Sequence, residues 1–161
     1  LTRTSMNDIR QFLAGKDTQP LVHGTLVERL RTELSFLQEG LGLRAILETD
    51  PEELDLPQEV ERELYYVLRE GLTNVTRHSN ASRVEIYLRQ KGRNFEGSLE
   101  DDGVGLNLAT NDNPHGVGLT SMRERIEKLG GGFKIKSSPG NGTKICISLS
   151  IEPKSSAFAV S

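Results

Sequence analysis

Residues 69–88 read REGLTNVTRHSNASRVEIYL, and this stretch joins the chain's longest predicted helix to a predicted strand. The helix spans about residues 58–79, and its apolar residues recur at a spacing of 3.6 residues along one side. In the strand, Val84, Ile86 and Leu88 alternate with polar residues, which is typical of a half-buried strand. Polar residues interrupt the pattern near the end of the helix, which makes that end a candidate functional site.

The polar residues at the end of this helix are Glu70, Asn74, Arg77 and His78. Glu70, Asn74 and His78 are spaced by four residues and therefore lie on one side of the helix, with Arg77 adjacent. A solvated helix face explains such a pattern equally well. Asn, however, is unfavourable inside a helix, and its side-chain oxygen is a ligand that Mg²⁺ accepts together with phosphate oxygens. Asn74 is therefore a candidate metal ligand.

The stretch EDDGVGL, residues 100–106, follows a second predicted strand in which apolar residues alternate. An acidic tight turn explains these residues as well as a ligand site does. In a ligand site, a carboxylate such as Asp101 accepts a hydrogen bond from an exocyclic amine like that of adenine, whereas guanine presents a carbonyl oxygen at that position. Gly103 and Gly105 would then let the backbone approach a flat base.

Two further glycine motifs occur in the C-terminal part of the chain. GVGL, residues 116–119, leads into a predicted amphipathic helix, and backbone amides at a helix N-terminus favour phosphate groups. A flexible hinge explains the same glycines. GNGT, residues 140–143, precedes the last predicted strand, and a hairpin turn explains it without any ligand. Each motif by itself therefore leaves a structural and a functional interpretation open.

The remaining pattern predicts helices on one face of a sheet. Leucines at helical spacing predict a helix over about residues 24–39 that Gly40 closes, and a strand follows near Leu43. After the long helix come two strands, another helix and two closing strands. Because antiparallel-looking strands are interspersed with helices, we predict an α+β fold with a mixed sheet. Residues 1–14 are expected to be the end of a longer helix, and residues 153–161 a loose tail.

Composition excludes several classes of function. The chain has 161 residues, of which 20 are basic and 23 acidic, and its formal net charge is −3, which predicts no direct contact with nucleic acid. No apolar run approaches the roughly 18 residues that span a bilayer, so we expect no direct membrane contact either. Cys146 is the single cysteine, which excludes an internal disulfide and a cysteine-rich zinc site. We expect a cytoplasmic domain, whether or not its parent protein is anchored in a membrane.

In their order and spacing, the four motifs resemble the nucleotide-binding set of the Bergerat ATPases, which include gyrase B, heat-shock protein 90, histidine kinases and MutL. The stretches at residues 69–88, 100–106 and 115–149 are most similar to sensor histidine kinases related to the nitrate sensors. The resemblance covers about residues 56–151, and residues 1–50 more loosely resemble the end of a dimerisation helix and its linker. It implies a two-layer α/β sandwich that binds ATP between helices and sheet under a short lid.

The resemblance also implies roles for individual residues. ATP and Mg²⁺ would be the cofactors, with Asn74 as the metal ligand. Asp101 would accept from the adenine amine, and Thr143 would support it through Asp101 or a water. The other residues implied at the nucleotide are Arg77 and His78 near the phosphates, Gly103 and Gly105 beside the base, and His115, Gly116, Val117, Gly118 and Leu119 at the phosphate end of a lid over residues 106–115. Glu70 matches the residue that deprotonates water in hydrolysing members of the superfamily, and is the candidate catalytic residue.

The implied function is transfer of the γ-phosphate of ATP to a histidine on the dimerisation domain of the same kinase, for relay to a response regulator with a helix-turn-helix output. None of His23, His78 and His115 fits the acceptor pattern of these kinases. We therefore expect a catalytic ATP-binding domain over residues 21–152, after a helix and linker remnant over residues 1–20. Two alternatives remain, namely a stand-alone serine kinase of the anti-sigma-factor type and a non-catalytic module in which the nucleotide regulates a partner.

Overall fold

The computed structural model describes residues 24–106 and 116–152. Its elements in chain order are α1 (Leu26–Leu41), β1 (Arg44–Asp50), α2 (Gln58–Asn74), β2 (Arg83–Lys91), β3 (Asn94–Asp101), α3 (Gly116–Lys128), β4 (Gly132–Ser137) and β5 (Thr143–Ser150). A five-residue π-helical turn, Val75–Ser79, continues α2. The helix predicted over residues 1–14, nearly all of the predicted lid, and the predicted tail lie outside the described residues.

The described strands form one five-stranded sheet in the order β1-β2-β3-β5-β4. β1 runs parallel to β2, and the other three strand pairs are antiparallel. A parallel pair needs a crossover connection, and α2 with its π-helical turn provides it between β1 and β2. The prediction of a mixed, mostly antiparallel sheet is confirmed.

The core lies between this sheet and the helices. In β2 the inward residues Val84, Ile86 and Leu88 are buried, whereas the outward Tyr87 and Arg89 are exposed. The helices contribute a larger set of buried side chains, including Leu26, Leu30, Leu34, Leu37, Leu64, Leu68, Leu72, Met122 and Ile126. Burial of one such side chain contributes about 1.5–3 kcal/mol, so these stripes determine which side of each helix faces the sheet. The predicted α+β sandwich with helices on one face is confirmed.

Helix α1 begins and ends with recognisable caps. The Thr25 hydroxyl accepts from the amide of Glu28, and the Glu28 carboxylate accepts from the amide of Thr25, which together form a capping box. The helix ends at Gly42, whose φ of 66° places it in the left-handed region and whose amide donates to the oxygen of Gln38. The prediction that Gly40 closes this helix is wrong, because Gly40 is still helical and the glycine two residues later takes the left-handed conformation.

The helix predicted over residues 58–79 is present but changes its winding after Asn74. Residues 75–79 adopt the wider π-helical turn, and Asn80 ends it with a φ of 49°. The Ser79 hydroxyl donates to the oxygen of Val75 at 2.7 Å and stabilises this turn. Single π-helical turns are frequent at functional sites, so the change in winding marks the end of α2 as a special segment. No helix in the two described ranges has the length and apolar character needed to cross a membrane.

Candidate functional site

A cavity lies between the end of α2, the end of β3 and the start of β5. Its empty space, which is open to solvent, is about 460 Å³. The lining residues are Gly71, Asn74, Ser79, Leu99, Asp101, Gly105, Leu106, Leu119, Thr143 and Ile145. Most of the wall is apolar and only a few lining side chains are polar, as in small-molecule sites where a few polar groups fix the orientation of the ligand.

Asp101 is the buried acidic residue of this cavity. Its side chain lies at the end of β3, the residue is 7% exposed, and one carboxylate oxygen accepts from the amide of Gly103 at 2.8 Å. Burial raises the pKa of Asp101 above its ordinary value, although the amides of Gly103 and Thr143 act in the opposite direction. An ionised carboxylate only accepts hydrogen bonds. This wall of the cavity is therefore suited to a ligand group that donates.

The glycines that follow Asp101 are required by the packing of the chain itself. A Cβ on Gly103 would overlap the backbone oxygen of Ser79, and a Cβ on Gly105, where φ is 73°, would overlap the backbone oxygen of Ser138. Both Cβ directions thus meet the protein's own backbone. Chain packing alone thus requires glycine at both positions, and Gly105 also lines the cavity; the expectation that they let the backbone approach a base stays a prediction.

Asp102, the neighbour of Asp101, points away from this site. One carboxylate oxygen accepts from the amides of Ser82 and Arg83, both at 2.9 Å, and the other accepts from the Ser82 hydroxyl at 2.6 Å. The Ser82 hydroxyl and these amides hold the pKa of Asp102 below its ordinary value. The two adjacent acids therefore have different roles, since Asp102 binds the start of β2 while Asp101 lines the cavity.

Asn74 lies where the sequence analysis expects a metal ligand. It is the last residue of α2, is half-buried, and lines the cavity. Glu70 lies one turn earlier and is also half-buried. A Cβ on Gly118 would be 3.0 Å from a carboxylate oxygen of Glu70, so the first turn of α3 lies directly against this side chain. Asn74 thus reaches the cavity, whereas Glu70 is not one of its lining residues and lies against the start of α3.

The other predicted residues divide into three groups. Leu119 is buried and lines the cavity, and Thr143 lines it from β5. Arg77 is exposed on the π-helical turn and is not a lining residue. His115 and the side chains of His78 and Val117 lie outside what the structure describes. The backbone of α3 begins at Gly116, so the glycines predicted to precede this helix lie within its first turn.

Several lining residues were missed by the sequence analysis. Leu99 and Ile145 lie in predicted strands and Ser79 lies at the end of the predicted helix, and the sequence predicts no role in the site for any of them. Gly71 carries a detectable signal, because an isolated glycine inside a helix is unfavourable and calls for a packing reason. Here a Cβ on Gly71 would be 3.0 Å from Leu99, so the glycine allows α2 to approach β3 beside the cavity.

The comparison with known families shows that this domain is an ATPase-family domain. Residues 59–153 match the family described as histidine kinase-, DNA gyrase B- and HSP90-like ATPase. This match covers more than half of the chain, and the chain belongs to that family.

Relatives of the chain are sensor kinases. It is 32% identical over 142 residues to the signal transduction histidine-protein kinase/phosphatase UhpB of Salmonella typhimurium, a match that covers 88% of this chain and 28% of UhpB. It is 33% identical over 121 residues to the sensor histidine kinase YxjM of Bacillus subtilis, covering 74% of this chain and 29% of YxjM. The chain thus spans less than a third of the length of these two relatives.

Solved structures share the fold. The histidine kinase domain of a blue-light activated histidine kinase from Erythrobacter litoralis superposes with a TM-score of 0.62 at 21% identity, covering 78% of this chain and 64% of that domain. The histidine kinase AdeS of Acinetobacter baumannii superposes with a TM-score of 0.62 at 18% identity, covering 89% of this chain and 74% of the AdeS chain. The architecture described above is therefore that of histidine kinase catalytic domains.

Proposed function

We propose that this domain binds ATP with Mg²⁺ in the cavity and transfers the γ-phosphate to a histidine on the dimerisation domain of the same kinase. The observation that carries the proposal is the convergence of Asn74, Asp101 and Thr143 on one cavity. These residues come from α2, β3 and β5 and lie far apart in the sequence. The family to which the chain belongs, and the sensor kinases among its relatives, support the same function.

Asp101 selects the base. Its carboxylate is held at the end of β3 by the amide of Gly103, and as an acceptor it pairs with the exocyclic amine of adenine. A guanine would place a carbonyl oxygen against it, and two facing acceptors lose the hydrogen bond and leave a buried group unpaired. The apolar side chains of Leu99, Leu119 and Ile145 supply the walls between which a flat ring packs. This chemistry favours ATP over GTP.

Asn74 would provide an oxygen ligand for Mg²⁺. Among the residues that the structure describes, no group of three or more His, Cys, Asp or Glu side chains could hold a metal by itself. A site with one or two protein oxygens fits Mg²⁺, which keeps several waters and takes substrate phosphates as its other ligands. The bound ion would neutralise charge on the phosphates. Asn74 would orient it through its side-chain oxygen, at the rim where the cavity meets α3.

Phosphoryl transfer depends on positioning and charge neutralisation more than on covalent chemistry of the protein. The amides at the start of α3 face outward at its N-terminus and suit the phosphate chain, and Gly118 keeps this turn in contact with Glu70. Arg77 and His78 are proposed to offset the phosphate charge from the π-helical turn. Glu70 is proposed to orient the acceptor or accept its proton, since its carboxylate lies against the start of α3.

The proposed partners follow from the relatives. UhpB and YxjM are named as signal transduction and sensor histidine kinases, so we propose that the parent protein passes phosphate to a response regulator. A helix-turn-helix output on that regulator, and kinship with the nitrate sensors, rest on the sequence resemblance. Residues 21–152 would be the catalytic domain, and residues 1–20 the end of the dimerisation helix and its linker.

A calorimetric titration of the 161-residue chain with a non-hydrolysable ATP analogue tests the binding step. Saturable binding that strengthens in the presence of Mg²⁺ is expected. Binding that is indifferent to Mg²⁺ would contradict the role of Asn74, and an absence of binding under both conditions would contradict the proposed function as a whole.

A further inference from the structure

Ser137, the last residue of β4, stands behind the cavity and contacts three other groups. Its hydroxyl oxygen accepts from the amide of Leu106 at 2.7 Å, lies 2.8 Å from the backbone oxygen of Gly142, and lies 2.8 Å from the Thr143 hydroxyl. Thr143 lines the cavity, whereas Ser137 is not one of the lining residues. Ser137 is half-buried, and the sequence analysis assigned it no role.

The protons of this cluster can be arranged in one way that satisfies every group. A serine hydroxyl has one proton and two lone pairs. The Gly142 oxygen cannot donate, so the Ser137 proton must go to it if that buried carbonyl is to be paired. One lone pair of Ser137 then receives the Leu106 amide, and the other receives the proton of Thr143. The opposite choice, in which Ser137 donates to Thr143, leaves the buried Gly142 oxygen without this partner, which is unfavourable.

This arrangement determines what Thr143 presents to the cavity. Because its proton points back to Ser137, the Thr143 oxygen offers only lone pairs to a ligand. The cavity then has two acceptors at its polar edge, the Asp101 carboxylate and the Thr143 oxygen. A free hydroxyl would behave differently, since it can rotate and donate to a carbonyl oxygen.

We propose that Ser137 is a positioning residue for base selection, which acts by holding the Thr143 hydroxyl as an acceptor. The proposal rests on the proposed function, because it assigns a specificity to the same nucleotide site. Two fixed acceptors favour a purine with an amine at position 6 and reject one with an oxygen there. Without Ser137, the Thr143 hydroxyl turns and donates to that oxygen, so the discrimination weakens while the cavity remains.

The test compares the dissociation constants of ATP and inosine triphosphate, which carries oxygen in place of the amine at position 6, by calorimetry with Mg²⁺. For the wild-type chain, ATP is expected to bind more tightly. In Ser137→Ala the preference for ATP is expected to fall about fivefold to tenfold, the equivalent of one neutral hydrogen bond. A merely structural role would weaken both nucleotides equally, so an unchanged ratio would overturn the proposal.

Three variants sharpen this result. Ser137→Thr keeps the hydroxyl and should restore the wild-type ratio. Ser138→Ala is the matched control, because the Ser138 hydroxyl contacts Asn141 in the exposed turn and should leave the ratio unchanged. In a Thr143→Val background, Ser137→Ala should change the ratio no further, and a further change would show that Ser137 does not act through Thr143.

The outcomes separate the two levels of the proposal. If wild-type chain binds neither nucleotide, the proposed function fails and the role of Ser137 fails with it. If wild-type chain binds ATP with a clear preference and Ser137→Ala keeps that preference, only the role of Ser137 fails. Should Ser137→Ala not fold, Ser137→Cys provides the same measurement, since a thiol is a weak acceptor and donor.

Discussion

The backbone oxygen of Ser79 accepts a 2.7 Å hydrogen bond from the amide of Val104. This bond joins the π-helical turn after α2 to the loop after β3, and so connects the segment of Asn74 with the segment of Asp101. The two backbones are so close at this point that Gly103 has no space for a side chain. The geometry of the cavity therefore depends on contact between two loops rather than on either strand or helix alone.

Gly103→Ala is expected to destabilise the chain by about 1–3 kcal/mol, the usual cost of overpacking. A Cβ at this position would overlap the Ser79 backbone and approach a carboxylate oxygen of Asp101 at 2.8 Å, and backbone cannot move aside as a side-chain tip does. Urea unfolding at neutral pH measures the effect. Val104→Ala is the matched control, since Val104 is 52% exposed and should change the free energy of unfolding by less than about 0.5 kcal/mol. Equal stability of the two variants would contradict the close contact described here.

Much of the fold could be predicted because its signals are local. The alternation of Val84, Ile86 and Leu88 predicts β2, and the leucine stripe of α1 predicts which side of that helix is buried; both are confirmed by the burial of those residues. Such patterns report one element at a time. The end of α1 was misplaced by two residues because Gly40 and Gly42 are both plausible caps, and only the backbone conformation distinguishes them.

The cavity was harder to predict for a tertiary reason. Leu99 and Ile145 alternate along their strands in the same way as core residues. The sequence does not indicate whether such an inward side chain packs against a helix or lines a cavity. Ser137 gave no signal either, because its partner Leu106 is 31 residues away and the two meet only once β3, β4 and β5 are assembled. The polar lining residues Asn74, Asp101 and Thr143 were found because their motifs keep the order and spacing of a known family.

Asn74→Ala is expected to abolish the Mg²⁺-dependent part of ATP binding. The side-chain oxygen of Asn74 is the proposed metal ligand at the end of α2, and alanine removes it without disturbing helical geometry. Calorimetry with a non-hydrolysable ATP analogue, with and without Mg²⁺, measures the change. Asn94→Ala serves as the control, because Asn94 is exposed at the opposite end of β3 from Asp101. An Asn74→Ala chain that retains wild-type affinity in Mg²⁺ would refute the assignment.

Asp101→Asn is expected to weaken the discrimination of ATP from GTP. Asparagine keeps an acceptor oxygen but adds an amide group that can donate to the guanine carbonyl, so the mismatch of about 1–3 kcal/mol is relieved. This corresponds to a fall in the ratio of affinities of roughly 5-fold to 150-fold. Asp102→Asn is the adjacent control, since the Asp102 carboxylate is bonded to Ser82 and Arg83. If both variants keep the wild-type ratio, Asp101 does not select the base.

The same two aspartates are expected to change stability in opposite directions with pH. Burial raises the pKa of Asp101 above its ordinary value of 3.8, so its carboxylate disfavours the folded state once it is charged. Protonation of Asp101 therefore stabilises the folded state. This contribution is fully present below that ordinary value and is lost as the pH rises through the folded-state pKa of Asp101. Asp101→Asn, which is never charged, should therefore gain stability relative to the nucleotide-free wild-type chain at neutral pH, and this gain should shrink near pH 4.

Asp102 has the reverse sign. Its hydrogen bonds from Ser82 and Arg83 hold the pKa of Asp102 below 3.8, so its contribution is present above that value and is lost as pH falls through the folded-state pKa. Asp102→Asn should be less stable than the wild-type chain at neutral pH, by less than about 1 kcal/mol for an exposed group, and the two should converge in acid. Urea unfolding of both variants across this pH range measures the two slopes. If the stability of Asp101→Asn and Asp102→Asn relative to wild type changed with pH in the same direction, the two aspartates would not have the different roles described here.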